Sequence, residues 1–290
     1  MKLKKGIILS GGKGTRLYPA TSSTSKQLLP IYDKPLIYYS ISVLMLANIR
    51  EILIITTPED LNKYQRLLLD GSQWGIKIKY EVQQKPKGLA QALIIGEKFL
   101  NNHPCALILG DNIFYGNDLS EILLKAAMQT KKKSTIFAYY VKDPKRYGIV
   151  EFDKKLNVKS IKEKPQSPKS NYAVTGLYFY DKNASYFAKK IKPSKRGELE
   201  ITDLNNIYLK NKNLKVKILS RGIAWFDTGT PDSMLDASNY IYNIEKRQGL
   251  KISCPEEIAY NKNWITKKQI VKLIRLYTSS DYIKYLKKII

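Results

Sequence analysis

Histidine and cysteine are almost missing from this 290-residue chain: His103 stands alone, and Cys105 and Cys254 lie far apart. A single histidine, beside Pro104, excludes a Ser-His-Asp triad, a Cys-His pair and a multi-His zinc site. Cys105 falls in an apolar, strand-like run where a buried thiol is the default, so neither a disulfide nor a cysteine metal site is expected. Long apolar runs are lacking too, with nothing near the roughly 18 residues of a membrane span. Met1-Lys2-Leu3-Lys4-Lys5 enters a strand-like run with no apolar secretion-signal core. A cytoplasmic protein with no membrane association is the expectation. Acidic residues are outnumbered by basic ones, 25 against 50, for a net charge of +25. Such an excess raises a nucleic-acid partner. The lysines, however, are scattered in pairs and triples such as Lys131-Lys132-Lys133, Lys154-Lys155 and Lys267-Lys268, with no basic arm or recognition helix. Solvated faces and a composition rich in Lys, Ile, Asn and Tyr account for them, and no nucleic-acid partner is expected.

What the chain does have, at its start, is glycine. Gly11-Gly12-Lys13-Gly14-Thr15-Arg16 follows the apolar run Gly6-Ile7-Ile8-Leu9, with Lys26 and Gln27 ten residues on. Glycines remove the β-carbons that would keep a ligand from the backbone, so amides can converge on phosphate oxygens while Arg16 and Lys26 bring charge. No Gly-Lys-Ser/Thr follows at Walker A spacing, and Leu17 occupies the third glycine's place of G-x-G-x-x-G, so both common nucleotide motifs are excluded. Alone, the loop also reads as an ordinary tight turn.

Strand-like and helix-like segments alternate through the first half, the pattern of an α/β fold with a mainly parallel sheet flanked by helices. Strands are expected at Ile7 to Leu9, Glu51 to Thr56, Lys79 to Gln83 and Ala106 to Leu109, and helices at Pro35 to Ala47 and Ala90 to Phe99. Ligands of open α/β sheets bind beyond the carboxyl ends of strands, so the Gly-rich loop and Asp111 could face one crevice. The second half is richer in β-like runs: Thr135 to Tyr140, Ile149 to Phe152, Val174 to Tyr180 and Lys215 to Ile218. From Trp264 onward, Ile270, Leu273, Ile274 and Tyr277, then Ile283, Leu286 and Ile290, mark a basic amphipathic helical tail expected to pack against the body or another subunit. One catalytic domain over about 1–240 is expected, with a nucleotide-binding part to about 130 and a sugar-binding part over about 131–230. Residues 241–290 form a helical C-terminal segment in this reading.

A polyphosphate loop, nearby cations and a strand-end aspartate suit displacement at phosphorus, where positioning and charge neutralisation do most of the work. Asp111 is a hard oxygen ligand for Mg²⁺, and Asp227 in Trp225-Phe226-Asp227-Thr228-Gly229 is a second. Strand-end aspartates also serve as helix caps.

In order and spacing, Gly-Gly-Lys-Gly-Thr-Arg-Leu, Ser25-Lys26-Gln27-Leu28-Leu29-Pro30, Lys34-Pro35, Gln83, Gly88-Leu89-Ala90 and Leu109-Gly110-Asp111-Asn112 resemble the sugar-1-phosphate nucleotidylyltransferases. Arg146-Tyr147-Gly148, Glu163-Lys164-Pro165, Asn171 to Tyr178, Arg196 to Asp203 and Trp225 to Thr230 are similar to the glucose-1-phosphate thymidylyltransferase branch, and the match spans essentially the whole chain. The resemblance implies a Rossmann-like mixed sheet and formation of dTDP-glucose and pyrophosphate from dTTP and α-D-glucose 1-phosphate, the first step towards dTDP-rhamnose. It assigns Arg16, Lys26 and Lys164 to catalysis, and Leu9, Gly11, Gly12, Gly14, Thr15, Gln27, Gln83 and Gly88 to the nucleotide. Gly148, Glu163, Val174, Tyr178 and Arg196 fall to the sugar phosphate, and Asp111 and Asp227 to Mg²⁺. It further implies a homotetramer with feedback by dTDP-rhamnose at Tyr115, Gly116, Ser120 and Glu121, near the Cys254 to Ile258 segment, though a loop and a helix start explain those four residues equally well. A uridylyl- or cytidylyltransferase and a non-catalytic nucleotide-sugar-binding homologue are the alternatives.

Overall fold

The computed structural model describes residues 3–12, 14–276 and 279–290; Lys13 of the glycine loop and Tyr277 of the amphipathic stripe lie outside them. The chain begins with β1 (Lys5–Ser10), passes a hairpin of β2 (Pro30–Ile31) and β3 (Lys34–Pro35), and returns through helix α1 (Ile37–Leu46) to β4 (Glu51–Thr56). It continues through α2 (Leu61–Leu68), β5 (Lys77–Val82), α3 (Gln91–Ile95), α4 (Glu97–Leu100) and β6 (Cys105–Leu109). β1 lies between β4 and β6, parallel to both, and β5 joins parallel to β4. β1, β4 and β6 carry uninterrupted apolar runs because both of their faces are covered, whereas β5, at the end of the sheet, alternates exposed Lys77, Lys79 and Glu81 with Ile78, Tyr80 and Val82. Ile52, Ile54, Ile8 and Ile108 point into one core with α1, whereas Leu53, Ile55, Ile7, Leu9 and Leu107 point into another that includes Leu93 of α3. Each fully buried aliphatic side chain contributes ~1.5–3 kcal/mol, so a one-residue slip of β4 would exchange the two cores' partners together.

The expected helix at Ala90 to Phe99 is two short helices, α3 and α4, meeting at Gly96. A β-carbon there would sit 2.6 Å from Ile7 Cδ1, so the backbone lies directly on the sheet and the helix re-aims at the contact. The other expected elements form with ends shifted by one or two residues, and Gln83 falls just past β5.

After β7 (Asn112–Gly116) and α5 (Leu119–Gln129), the second half adds β8 (Ser134–Tyr140), β9 (Gly148–Phe152), β10 (Val158–Glu163) and β11 (Tyr172–Tyr180). α6 (Ala184–Ala188), α7 (Ile201–Lys210), β12 (Leu214–Ile218) and β13 (Ile223–Asp227) follow. β11 pairs antiparallel with β6, and with β8 and β9, so the β-rich half extends the same sheet. β13 pairs with β7 as a separate two-stranded ribbon in which Asp227 lies opposite Asn112.

The chain ends in α8 (Pro231–Gln248), α9 (Pro255–Asn261), α10 (Lys267–Leu276) and α11 (Asp281–Lys288). Thr230 and Ser233 cap α8 reciprocally. The amphipathic tail is thus two helices, and Ile270, Ile274, Ile283 and Leu286 are buried in the core that holds α1, so its apolar stripe docks on the body. Beneath α8, Lys34, Asp33, Glu245 and Lys251 form a closed ring of alternating charges, with Lys34 3.1 Å from Glu245 and Lys251 2.6 Å from it. Both cysteines are buried free thiols. No helix among the described residues is long and apolar enough to cross a membrane.

Candidate active site

At the carboxyl end of β1 the chain turns through Gly12 and Gly14, whose φ angles of 103° and 57° lie in the left-handed region that disfavours other residues. A single 3-10 turn, Thr15–Leu17, carries Arg16 outward, and a second, Lys26–Leu28, buries Gln27 and brings Lys26 to Asp111. Leu9 and Gln83 flank Gly11, where a β-carbon would stand 2.3 Å from Gln83 Oε1. Gln27 is buried, its Oε1 accepting from Ser25 Oγ at 2.5 Å and from Tyr64 Oη at 3.4 Å. Gly12, Thr15 and Gln83 share the wall of a cavity of about 840 Å³. Gly88 packs against the Leu199 backbone, which binds Lys87 and Ala90 on either side of it.

Lys26 Nζ is hydrogen-bonded to Asp111 Oδ2. Asp111 also accepts from Asn112 Nδ2 at 3.0 Å, and its backbone carbonyl accepts from Thr228 Oγ1 at 2.8 Å. That last bond ties the residue after Asp227 to Asp111 across the β7–β13 ribbon. Asn112 Oδ1 accepts from Trp225 Nε1 at 2.7 Å and from the Gly176 amide at 3.0 Å, locking three segments at the point where both aspartates emerge. Burial pushes the Asp227 carboxyl above the usual range and the Asp111 charge adds to this, while Lys26, Arg146 and Arg16 oppose it. Gly229 makes room for Arg16: a β-carbon there would be 2.8 Å from Arg16 Nη2 and 3.3 Å from Asp227 Oδ1.

A second, smaller cavity of about 150 Å³ lies beside Asp227, lined by Gly148, Glu163, Lys164, Val174 and Tyr178 among others. Glu163 Oε2 accepts from Thr202 Oγ1 at 2.6 Å, and Lys164 Nζ lies 3.9 Å from Glu163 Oε1. Burial raises the Tyr178 phenol, and the Glu163 and Asp111 charges reinforce the shift. Arg196 reaches Glu163 at 3.4 Å, but Glu200 at 2.9 Å and Glu198 at 3.6 Å also meet its charge.

Of the nucleotide candidates Gly12, Thr15 and Gln83 line the larger cavity, and of the sugar candidates Gly148, Glu163, Val174 and Tyr178 line the smaller one with Lys164 and Asp227, while Arg196 and Asp111 line neither. Tyr115, Gly116, Ser120 and Glu121 lie elsewhere, at the far end of β7 and on α5. Tyr115 stacks edge-on with Tyr240, and Glu121 pairs with Lys125. Arg146, 3.9 Å from Asp227, and Thr202 are site residues that sequence reasoning missed as individuals, though both sit inside the motifs that carry the resemblance.

Two adjacent carboxylates beside a phosphate-type loop are the hard-oxygen donor set of Mg²⁺, which takes one or two carboxylates and completes its shell with water and phosphate oxygens. Among the described residues no cluster of three or more His, Cys, Asp or Glu could hold an ion unaided, so a cation here would need ligand oxygens. The residues present fit that role.

A mainly parallel α/β sheet with a glycine loop after its first strand and charged groups gathered beyond the strand ends defines a phosphate-handling protein of the doubly wound class. The chain belongs to the nucleotidyl transferase family, whose profile matches residues 5–243. It is 56% identical over 282 residues to a glucose-1-phosphate thymidylyltransferase of Neisseria gonorrhoeae, covering 97% of this chain and 98% of the relative. A Bacillus anthracis chain with the same assignment, solved with sucrose, superposes with a TM-score of 0.75 at 40% identity over 82% of this chain and 94% of that one. A UDP-glucose pyrophosphorylase solved with UDP-glucose gives 0.73 at 27% identity over 83% and 99%.

Proposed function

We propose that the chain transfers the thymidylyl group of dTTP to α-D-glucose 1-phosphate, forming dTDP-glucose and releasing pyrophosphate. The observation that carries this reading is the full-length similarity to the Neisseria thymidylyltransferase, at 56% identity. The pairing of Asp111 with Asp227 under Arg16, Lys26 and Arg146 supports it. A phosphate oxygen of the sugar attacks the α-phosphorus. As that P–O bond forms, the bond from the α-phosphorus to the bridging oxygen of the β-phosphate breaks, and its electron pair departs with pyrophosphate.

Attacking and leaving groups are both anionic, so the residues act through charge and position. Arg16 and the glycine-loop amides hold the triphosphate, and Lys26 moves from Asp111 to the developing negative charge. Lys164 orients the attacking phosphate, and Glu163, oriented by Thr202, accepts sugar hydroxyls. Mg²⁺, when held by Asp111 and Asp227, supplies Lewis-acid neutralisation at the α-phosphate. A cytoplasmic homotetramer with feedback by dTDP-rhamnose through Tyr115, Gly116, Ser120 and Glu121 belongs to the same reading. Pyrophosphate release measured over dTTP, UTP, CTP and ATP, each with several sugar 1-phosphates and with and without Mg²⁺, tests it. Preference for dTTP with glucose 1-phosphate is expected, and activity only with ATP, or with no pair, overturns it.

A further inference from the structure

A glutamine amide can show a ligand either its oxygen or its NH2, and only its neighbours decide which. At Gln83, just beyond β5, the neighbours leave one answer. Gln83 Nε2 donates to Gln91 Oε1 at 2.8 Å, and the same oxygen accepts the backbone N–H of Lys87 at 3.0 Å. A backbone N–H can only donate, so Gln91 must turn its oxygen towards Lys87, and that oxygen in turn requires the NH2 of Gln83. The anchor is itself held: the Lys87 carbonyl accepts from the Leu199 amide at 2.7 Å, and the Ala90 amide donates to the Leu199 carbonyl at 3.1 Å. Gln83 Oε1 is left with no donor among the described residues, on a side chain that lines the 840 Å³ cavity, and it sits against Gly11 in the space a β-carbon there would fill.

We propose that Gln91 is a positioning residue that sets base selectivity, by relaying the fixed direction of the Lys87 N–H to Gln83 so that Gln83 presents an acceptor to the nucleobase. This rests on the proposed use of a pyrimidine nucleotide. An acceptor pairs with the N3–H of thymine or uracil and opposes the N3 lone pair of cytosine, leaving two buried acceptors unpaired. Turning Gln83 over to suit cytosine would set its oxygen against Gln91 Oε1. Turning both would set the Gln91 NH2 against the Lys87 N–H. The relay therefore discriminates by the presence of an imino proton and is indifferent to the thymine methyl.

The test compares kcat/KM for dTTP, dUTP and dCTP with glucose 1-phosphate in the wild type, Gln91→Met and Gln91→Glu. The glutamate can accept from both Lys87 and Gln83 and should preserve the relay. In Gln91→Met the dTTP:dCTP ratio is expected to fall about tenfold or more, with the dTTP:dUTP ratio unchanged and both ratios kept in Gln91→Glu. Wild-type ratios in Gln91→Met, equal shifts in both ratios, or a Gln91→Glu variant behaving like Gln91→Met would overturn the proposal. Binding of dTDP, dUDP and dCDP by calorimetry gives the same ratios without turnover. A wild type inactive on dTTP thus counts against the transferase reading, while the binding ratios still decide the role of Gln91. If Gln91→Met does not fold, Gln91→Ala replaces it.

Discussion

Replacing Gly229 with alanine disturbs the candidate site with one methyl group. The new carbon would stand 2.8 Å from Arg16 Nη2, 3.3 Å from Arg16 Cζ and 3.3 Å from Asp227 Oδ1, whereas ordinary contact begins at 3.4 Å. The shortfall of 3.4 − 2.8 = 0.6 Å falls on the end of a long, exposed arginine, so the guanidinium moves and the backbone does not. Gly229 is not among the glycines with positive φ, so alanine fits its backbone, and the loss of unfolded-state freedom is worth about +0.4 to 1 kcal/mol of stability. A displacement of this size at a charge-stabilising group costs roughly 10- to 100-fold in rate. Gly229→Ala is therefore expected to keep or slightly raise its urea midpoint while kcat/KM for pyrophosphate release falls by that factor. With Arg16→Ala already in place, adding Gly229→Ala should change little, because the methyl's tightest contact has gone. Wild-type turnover in a folded Gly229→Ala would show that the rate does not depend on Arg16 where the structure puts it. A stability loss above about 2 kcal/mol would show that the backbone takes the strain.

The ring of Lys34, Asp33, Glu245 and Lys251 makes Lys34→Met a stability probe: removing one buried cation costs ~3–5 kcal/mol, and the charge-balanced Lys34→Met/Glu245→Gln should cost less than the two singles summed. Strict additivity in urea denaturation would contradict the network. Tyr64→Phe removes a buried hydroxyl 2.9 Å from Ser25 and 3.4 Å from Gln27, so KM for dTTP should rise while KM for glucose 1-phosphate stays; unchanged values for both would detach Gln27 from the nucleotide. Burial pushes the Cys105 thiol up to about 12 and raises Cys254 well above its ordinary value. Ellman's reagent at pH 8 should thus label neither thiol until denaturant is added, and prompt labelling of the native protein would contradict their burial. Because the unfolded thiols ionise first, stability should decline as pH rises above about 9 and continue to fall towards 12.

The glycine loop, Lys26, Asp111 and Asp227 were legible in the sequence because glycines, a strand and its terminal aspartate are local features. The alternating α/β order followed from apolar runs whose two faces are both covered. What the linear pattern hid depends on partners distant in the chain. Asn112 becomes the junction of the site through Trp225, 113 residues away, and Thr202 becomes the support of Glu163 from 39 residues away. The break at Gly96 follows from Ile7 across the sheet, and Arg146 joins the site only because β13 delivers Asp227 beside it. Gln91 reads in sequence as an ordinary helical residue; its importance lies in which way its amide must face.

The most direct measurement follows the α-phosphorus itself. With dTTP labelled at the α-phosphate, glucose 1-phosphate and Mg²⁺, the label should pass into dTDP-glucose with one equivalent of pyrophosphate released per transfer. Label that stays in dTTP, or that appears as dTMP with no nucleotide sugar, would contradict the assignment of this site to thymidylyl transfer.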